Sequence, residues 1–380
     1  MAYSLNKMWT AMAASLIAAA GVVSAAPNYY DTDCCDNYGQ AGCLKPALDG
    51  CGSWFFSAEA LYWRPAEDGL AYGTETTTSF GSESSTFTDI DVLQPSFRWD
   101  WGFRLGFGYD FSCGWDFRAY WTHYHGSAHD DADLGFEGTD GLFTTWGTNT
   151  GVGSLDTPIT ELGAQWRLRL DLADFELGRE FCCGPCVSLR PHIGLRAVWI
   201  NQKYEIEAES AEIVGTSSTN VISTQDVDLK CEFQGLGLRS GLDTQWCVGC
   251  GFSVYGNMAI SAVYGTFHCH TEESNVFFDD STESEEFDYE QHDSYHACRF
   301  ITDLALGLRW SQAYCCDTVI LTLQLGWEHH LFLNQNRFED FANNNNFDGF
   351  GNPEVNAKNP SFSRGDKCLH GWTFGAKLDF

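Results

Sequence analysis

The segment Phe97–Phe111, FRWDWGFRLGFGYDF, decides the fold that this sequence predicts. Its odd-numbered residues are all apolar or aromatic, and its even-numbered residues are all charged or glycine. Because successive side chains of a β-strand point to opposite faces, one face would be aromatic throughout and the other would carry Arg and Asp. Such alternation over a whole strand is typical of a wall with lipid outside and a polar lumen inside. The segment therefore predicts a strand of a transmembrane β-barrel.

The composition of the 380-residue chain favours the same class. Aromatic residues make up 15% of it and glycines number 38, as expected for a membrane barrel with aromatic girdles. A formal net charge of −31 argues against a nucleic-acid partner, because phosphates would be repelled. No stretch of about 18 apolar residues follows the N-terminus, which argues against a helical membrane protein.

The N-terminus predicts a signal peptide over residues 1–25. Lys7 supplies the positive charge, and an Ala-rich apolar run is followed by Val-Ser-Ala, a suitable cleavage site that ends at Ala25. Export would place the 16 cysteines in an oxidising compartment, where disulfides form. We expect residues 26–53 to be a Cys-rich periplasmic segment and residues 54–380 to be the barrel.

Further segments with strand-like alternation follow along the chain, and short connections between them alternate with long polar ones. This alternation of short and long connections predicts an all-β, antiparallel transmembrane barrel of about ten strands, with short periplasmic turns and long external loops. Twelve strands would result if 134–146 or 207–226 formed an extra hairpin. The ten predicted strands are Trp54–Trp63, Phe97–Phe111, Trp115–His125, Thr160–Phe175, Val187–Ala208, Asp228–Trp246, Phe252–His268, Tyr295–Trp310, Thr318–Phe332 and His370–Phe380.

Two short blocks resemble a known family. The run Ala58–Pro65 (AEALYWRP) resembles the opening strand of the major-outer-membrane-protein-like family of pore-forming proteins in Legionella and chlamydia-related bacteria. The block from Leu177 to Ala197, with LGR followed by LRPHIGLRA, resembles the central hairpin of that family. The resemblance implies an exported, porin-like barrel in the bacterial outer membrane. It implies little about the solute, and the abundance of Cys is similar to the chlamydial members.

Charged residues on the faces opposite the apolar stripes are the candidate pore lining. They would give a narrow pore whose selectivity follows its charges. Alternatively they pair across the lumen and plug it, because ten strands enclose little more than eight-stranded barrels, which side chains fill. The candidates are Arg98, Asp100, Arg104, Asp110, Arg118, Arg167, Arg169, Arg190, Arg196, Arg239, Arg299, Asp303 and Arg309. Glu161, Asp171, Glu232 and Glu328 are predicted to face inward with them.

Twelve of the cysteines fall in the N-terminal segment or the short turns, on the predicted periplasmic side. They are the disulfide candidates. They would staple turns within one chain or cross-link copies of it and other envelope proteins. They are Cys34, Cys35, Cys43, Cys51, Cys113, Cys182, Cys183, Cys186, Cys247, Cys250, Cys315 and Cys316.

Ten of the eleven histidines lie at predicted external strand ends, and the segment 270–294 is predicted to be an acidic loop. The main interpretation is that these are ordinary rim residues, so no metal, no cofactor and no catalytic residue is predicted. A rim metal site and an outer-membrane hydrolase stay open as alternatives. The sequence therefore predicts a porin for small solutes or ions. A structural or adhesive surface barrel with a plugged lumen is the main competing function.

Overall fold

The fold is known from a computed structural model. The structure describes residues 52–80, 86–111, 114–134, 140–147, 159–184, 186–214, 218–279, 282–314, 319–340, 361–362 and 365–380. The predicted signal peptide and most of the Cys-rich segment lie outside these residues. Within the described ranges, no helix is long and apolar enough to cross a membrane.

Ten long strands build the wall, and each pairs antiparallel with its neighbours in the chain. The last strand pairs with the first, with Phe56 opposite Leu378, so the sheet closes into a barrel. The ten-stranded prediction is confirmed. The strands are β1 (Ser53–Glu67), β2 (Asp100–Asp110), β3 (Trp115–Asp133), β4 (Ile159–Arg179), β5 (Val187–Val214), β6 (Ser218–Gly249), β7 (Phe252–Asp279), β8 (Thr282–Tyr314), β9 (Val319–Asn336) and β10 (Gly365–Asp379).

Several strands are longer than predicted. Residues 209–226 were expected to form a polar loop, but β5 and β6 continue through most of this segment, with Ser210 opposite Ser223. The predicted acidic loop 270–294 is mostly strand as well, since β7 and β8 pair as far as Asp279 and Thr282. Alternating polar residues sustain a strand as long as one face is buried, so polarity alone did not mark a loop.

The predicted loop 64–95 contains two strands, Gly73–Phe80 and Thr86–Leu93. Together with Asp140–Thr144 they form a separate three-stranded sheet, so 134–146 contributes no hairpin to the barrel. Phe97 also differs from the prediction. It lies in a two-residue strand that pairs with β3, and its ring packs edge-on against the buried Trp166 at 5.4 Å, so it points inward.

Strand β4 shows that the barrel has two parts with opposite polarity. Near its C-terminal end Phe175 and Leu177 are exposed on the outside, while Asp174 and Glu176 are buried inside. Earlier in the same strand the even-numbered residues from Leu162 to Leu172 are buried inside. No register shift separates these two parts in the pairing with β3. The apolar side chains therefore change from the outer to the inner face along a regular strand.

The part with apolar side chains outside is the membrane belt. It carries bulky exposed residues on every strand, as a lipid-facing wall requires. The belt includes Trp54, Phe56, Trp101, Leu105, Trp121, Phe175, Ile193, Trp199, Leu238, Ile260, Tyr264, Leu306, Leu325, Trp327, Trp372 and Phe374. The part with apolar side chains inside continues the barrel beyond the belt and is called the extension. Its wall has polar side chains outside and apolar ones inside, as in a water-soluble barrel.

One end of the belt carries the short turns. Between β6 and β7 the residues Cys250 and Gly251 have φ angles of 54° and 81°. Two successive left-handed residues are the requirement of a type I′ hairpin, whose twist matches that of the flanking strands. A Cβ atom on Gly251 would lie 2.6 Å from the carbonyl oxygen of Ser311, so glycine is needed there.

Candidate functional site: the charged lumen

A cavity of 170 Å³ lies inside the belt and has a charged lining. It has room for on the order of ten water molecules. Six arginines and several carboxylates from β1 to β9 face it, alongside neutral polar side chains. The inner face of the belt is therefore polar, as the sequence predicts for this part of the wall.

Arg190 is the centre of the ion pairs at the turn end. Its Nε atom donates to both oxygens of Asp116 at 2.7 and 2.9 Å, and Nη1 donates to Glu176 at 3.1 Å and to Asp243 at 2.8 Å. Arg118 approaches the same Asp116 at 3.3 Å. Only 4% of the Arg190 side chain is exposed. One guanidinium thus joins three strands through three carboxylates.

Asp303 joins the middle of the lumen. It forms an ion pair with Arg196 Nη1 at 2.8 Å, accepts a hydrogen bond from Arg239, and lies 2.7 Å from His330 Nδ1. Arg196 also forms a two-pronged pair with Asp174, at 2.6 and 2.7 Å. His330 lies between two carboxylates, since its Nε2 atom is 3.0 Å from Glu328. Because both ring nitrogens of His330 face acceptors, the arrangement suits the imidazolium form, in which both nitrogens are donors.

Arg104 completes the network on the β1 side. It donates to Glu59 at 2.7 Å and to Glu328 at 2.8 and 3.0 Å. Arg309 differs from the others, because its hydrogen bonds run to the amide oxygens of Gln245 at 3.0 Å and Gln324 at 3.1 Å. Its charge is therefore the least compensated by direct contacts among the cavity arginines.

The predicted pore-lining residues divide into two groups. Those that line the cavity are Arg104, Arg118, Arg190, Arg196, Arg239, Asp303 and Arg309. Those that do not are Arg98, Asp100, Asp110, Arg167, Arg169 and Arg299. Arg167 and Arg169 were predicted to face the lumen, but they lie on the outer face of the extension, where 53% and 60% of their side chains are exposed.

The other misplaced residues have local reasons. Arg98 is exposed in the break before β2, and Asp100 accepts hydrogen bonds from Ser127. Arg299 does face inward, but in the extension, where its guanidinium lies 4.7 Å from the centre of the Phe267 ring. Asp171, Glu161 and Glu232 lie on the outer face of the extension, because the apolar residues of their strands face inward there.

Sequence reasoning missed several lumen residues. Asp174 and Glu176 follow the apolar run of β4, where the change of face is visible only as the appearance of Phe175 between them and of Leu177 after them. Glu59 lies in the predicted strand Trp54–Trp63, whose other inward residues are uncharged. The missed ionisable side chains that line the cavity include Glu59, Asp174, Glu176, Glu180, Asp243 and His330.

The interior of the extension is filled by an apolar core. Connecting segments contribute to it as well as the wall, since Leu70, Tyr72 and Trp146 are almost fully buried. Tyr204 of β5 donates to the carbonyl of Leu70 at 2.7 Å, which fixes that segment inside the barrel. Wall residues of this core include Leu61, Trp63, Trp166, Leu170, Ile200, Tyr204, Leu229, Phe233, Phe267 and Phe332.

The disulfide that the structure contains joins two cysteines outside the predicted candidate set. Among the described residues the structure contains one disulfide, Cys231–Cys269, which joins β6 to β7 inside the extension. Neither Cys was a candidate, because both stood at the end opposite the short turns. Of the candidates, Cys183, Cys186 and Cys250 are thiols here. Cys182 and Cys247 are the other described candidates, and Cys247 N donates to Cys186 O at 2.7 Å. The remaining candidates, Cys34, Cys35, Cys43, Cys51, Cys113, Cys315 and Cys316, lie outside the described residues.

The rim histidines, apart from His330, lie on the outer face. His123 Nδ1 is 2.7 Å from Asp171, so a His–Asp pair exists at the rim. It faces outward beside Trp121, which donates to the same carboxylate at 3.2 Å. A single His–Asp pair does not by itself make a catalytic site, and the hydrolase alternative stays a prediction.

Comparisons with known proteins point to the bacterial outer membrane. A family model described as Legionella pneumophila major outer membrane protein precursor matches residues 49–380. No curated protein sequence matches the chain. Among solved structures, the outer membrane protease OmpT of Escherichia coli aligns over 89% of this chain and 98% of its own, with 10% identity and a TM-score of 0.36. A major outer membrane protein of Thermus thermophilus aligns over 87% and 100%, with 12% identity and a TM-score of 0.26. Likenesses this weak say nothing about activity.

Proposed function

This chain belongs to the Legionella pneumophila major outer membrane protein family, and we propose that it acts in the outer membrane as a narrow porin for ions and small solutes. The charged cavity in the belt carries the proposal. Buried ion pairs stabilise a fold little compared with apolar packing, so a purely structural barrel gains little from such a lumen. Charges that face water inside a wall set which ions enter it.

Transport in this proposal is passive diffusion filtered by charge. An entering ion exchanges contacts with paired groups, and the net field depends on the charges that are least compensated. Arg309 is such a charge, since its hydrogen bonds run to Gln245 and Gln324. It should favour anions near the turn end of the lumen.

Planar-bilayer recordings on the folded, full-length barrel test the proposal. Wild type should give small unitary current steps, and Arg309→Gln should move the reversal potential in a KCl gradient toward cation selectivity. Arg167→Gln is the matched control, because it removes the same charge from the outer face of the extension. Silence of folded wild type, or equal shifts in both variants, would contradict the porin.

A structural or adhesive barrel is the second candidate, and the apolar core of the extension favours it. Leu70, Tyr72 and Trp146 occupy the interior at the end away from the short turns, and ions do not cross packed apolar side chains. In this case folded wild type stays silent in bilayers. Trimming the segment that carries Trp146 would leave it silent too, whereas a porin would then conduct more.

A further inference from the structure

The outer face of the hairpin β7–β8 carries a cluster of potential metal ligands far from the lumen. His270 lies directly opposite His292, and Glu272 lies directly opposite Glu290 in the neighbouring pair. The two imidazole rings stack with centroids 4.3 Å apart and 14° between their planes. Four ligand-type side chains therefore converge on one patch of the extension.

We propose that His270, His292 and Glu290 bind one divalent transition-metal ion of the zinc class, with Glu272 as a further oxygen ligand. The Nε2 atom of His292 is 3.0 Å from Glu290 Oε1, and that of His270 is 3.8 Å from the same oxygen. Glu272 Oε2 lies 3.7 Å from His270 Nε2. One ligand atom from each of His270, Glu290 and His292 lies within 4.8 Å of the others.

These separations fit a tetrahedral site. Zinc bonds to His nitrogen and carboxylate oxygen are about 2.0–2.2 Å long, so neighbouring ligand atoms around the ion should be about 3.3–3.6 Å apart. The observed distances of 3.0 to 3.8 Å bracket that range. Because the two rings stack nearly parallel, they have to rotate out of the stack before both Nε2 lone pairs can point at one ion.

The protonation geometry of His270 also suits a ligand. Its Nδ1 atom lies 3.3 Å from the carbonyl oxygen of Gln291, which acts as an acceptor for the Nδ1 proton. That contact leaves the lone pair on Nε2, the atom that faces Glu290 and Glu272. A backbone carbonyl that fixes the tautomer of a His ligand is the usual outer-shell arrangement in metal sites.

The ligand set selects the class of ion. Two imidazoles with one or two carboxylates suit Zn²⁺, Cu²⁺ and Ni²⁺, whereas Ca²⁺ and Mg²⁺ prefer oxygen ligands alone. Since His270 and His292 come from different strands, the ion would join β7 to β8 through their side chains. The bond would pin the hairpin between the belt and its tip.

Isothermal titration of the detergent-folded, full-length barrel with ZnCl₂ is the test. Wild type should bind one zinc at this site. His270→Ala and His292→Ala should each weaken that binding at least about tenfold, the lower end of what an outer-shell change alone costs. His296→Ala is the matched control, because His296 lies on the same face of β8 but contacts Thr266 instead of a carboxylate. It should bind zinc like wild type.

Copper supplies a second measurement that a folding defect does not mimic. The EPR spectrum of the Cu²⁺ complex should show two equatorial nitrogens in wild type and one in His270→Ala. Heat-modified mobility on gels checks that each variant is folded. Zinc affinity that survives in the His270→Ala/His292→Ala double variant after its exposed thiols are blocked with iodoacetamide, or equal loss in His296→Ala, would overturn the proposal.

Discussion

A buried ion pair in the extension makes the stability of the barrel depend on pH in an unusual way. Glu67 of β1 lies opposite Lys367 of β10, beyond the membrane belt, and both side chains are 0% exposed. The Nζ–Oε2 distance is 3.6 Å, too long for a direct hydrogen bond. Each charge is therefore removed from water with its one ionic partner beyond hydrogen-bond distance, which compensates its burial poorly.

Burial shifts both groups toward their neutral forms. It raises the pKa of the Glu67 carboxyl from 4.5 to about 7, although the charge of Lys367 acts in the opposite direction. Burial likewise lowers the pKa of the Lys367 ammonium from 10.5 to about 8, against the attraction of Glu67. The structure thus holds two groups that titrate near neutrality.

The sign of the effect follows from proton counting. Between pH 4.5 and 7 the folded state binds more protons at Glu67 than the unfolded state, so stability falls as pH rises. Between pH 8 and 10.5 the unfolded state binds more protons at Lys367, so stability rises with pH. At about 1.4 kcal/mol per pH unit, each flank amounts to about 3 kcal/mol. The pair contributes a stability minimum between pH 7 and 8.

The perturbation is the double variant Glu67→Gln/Lys367→Met, which removes both charges. It should flatten the two flanks and raise the free energy of unfolding near pH 7.5 by about 1–4 kcal/mol. Urea unfolding in lipid bilayers at pH 5, 7.5 and 10, followed by tryptophan fluorescence, measures this. Trp166 is a local probe, since Lys367 Nζ lies 5.9 Å from its ring centre.

An exposed pair of the same kind is the control. Lys230 Nζ lies 3.8 Å from Asp228, with side chains 45% and 35% exposed, so Asp228→Asn/Lys230→Met should change stability by less than about 1 kcal/mol at any pH. An unchanged pH profile in the Glu67/Lys367 variant would refute the reasoning. So would a variant less stable than wild type at pH 7.5.

Other substitutions test the lumen, the disulfide and the turn. Arg190→Met removes the central cation from three carboxylates, which keep Arg118 and Arg239 as partners, and should lower the urea midpoint by an amount equivalent to about 3 kcal/mol. Arg167→Met on the outer face should change it little. Cys231→Ser opens the bridge to Cys269 across 38 residues and should cost about 3–4 kcal/mol, seen as an equal loss on reducing wild type. Gly251→Ala should cost about 1–2 kcal/mol through its φ of 81°, and stopped-flow kinetics should show faster unfolding. Wild-type behaviour in any of these would count against the corresponding contact.

Much of the belt could be predicted from sequence. In β2, lipid outside and charge inside are the only arrangement that suits the alternation of Trp101, Phe103, Leu105 and Phe107 with Arg104. The even number of strands followed from the rhythm of turns. In β5 Arg190 and Arg196 face inward, and Ile193, Leu195 and Trp199 mark the outer face beside them.

The extension could not be predicted in the same way, and β4 shows why. The alternation of apolar and polar residues shows that the two faces of a strand differ. Whether lipid or water surrounds the wall decides which face points into the barrel. With lipid outside, Leu168 and Leu170 would face outward; with water outside, they face inward and Arg169 faces out. The ion-pair partners were also out of reach, because Arg190 and Asp116 are 74 residues apart in the chain.

The height of the belt fixes how deep the molecule sits in its bilayer. On β1 the outward residues from Trp54 to Tyr62 span about 26 Å along the strand, or about 20 Å along the normal at the tilt usual for such barrels. The next outward residue is Arg64, which would be costly in hydrocarbon at about 2–4 kcal/mol at the midplane. The barrel therefore cannot slide vertically. A bilayer thicker than the belt has to thin around the barrel. The extension then projects into water by the same distance from the membrane surface.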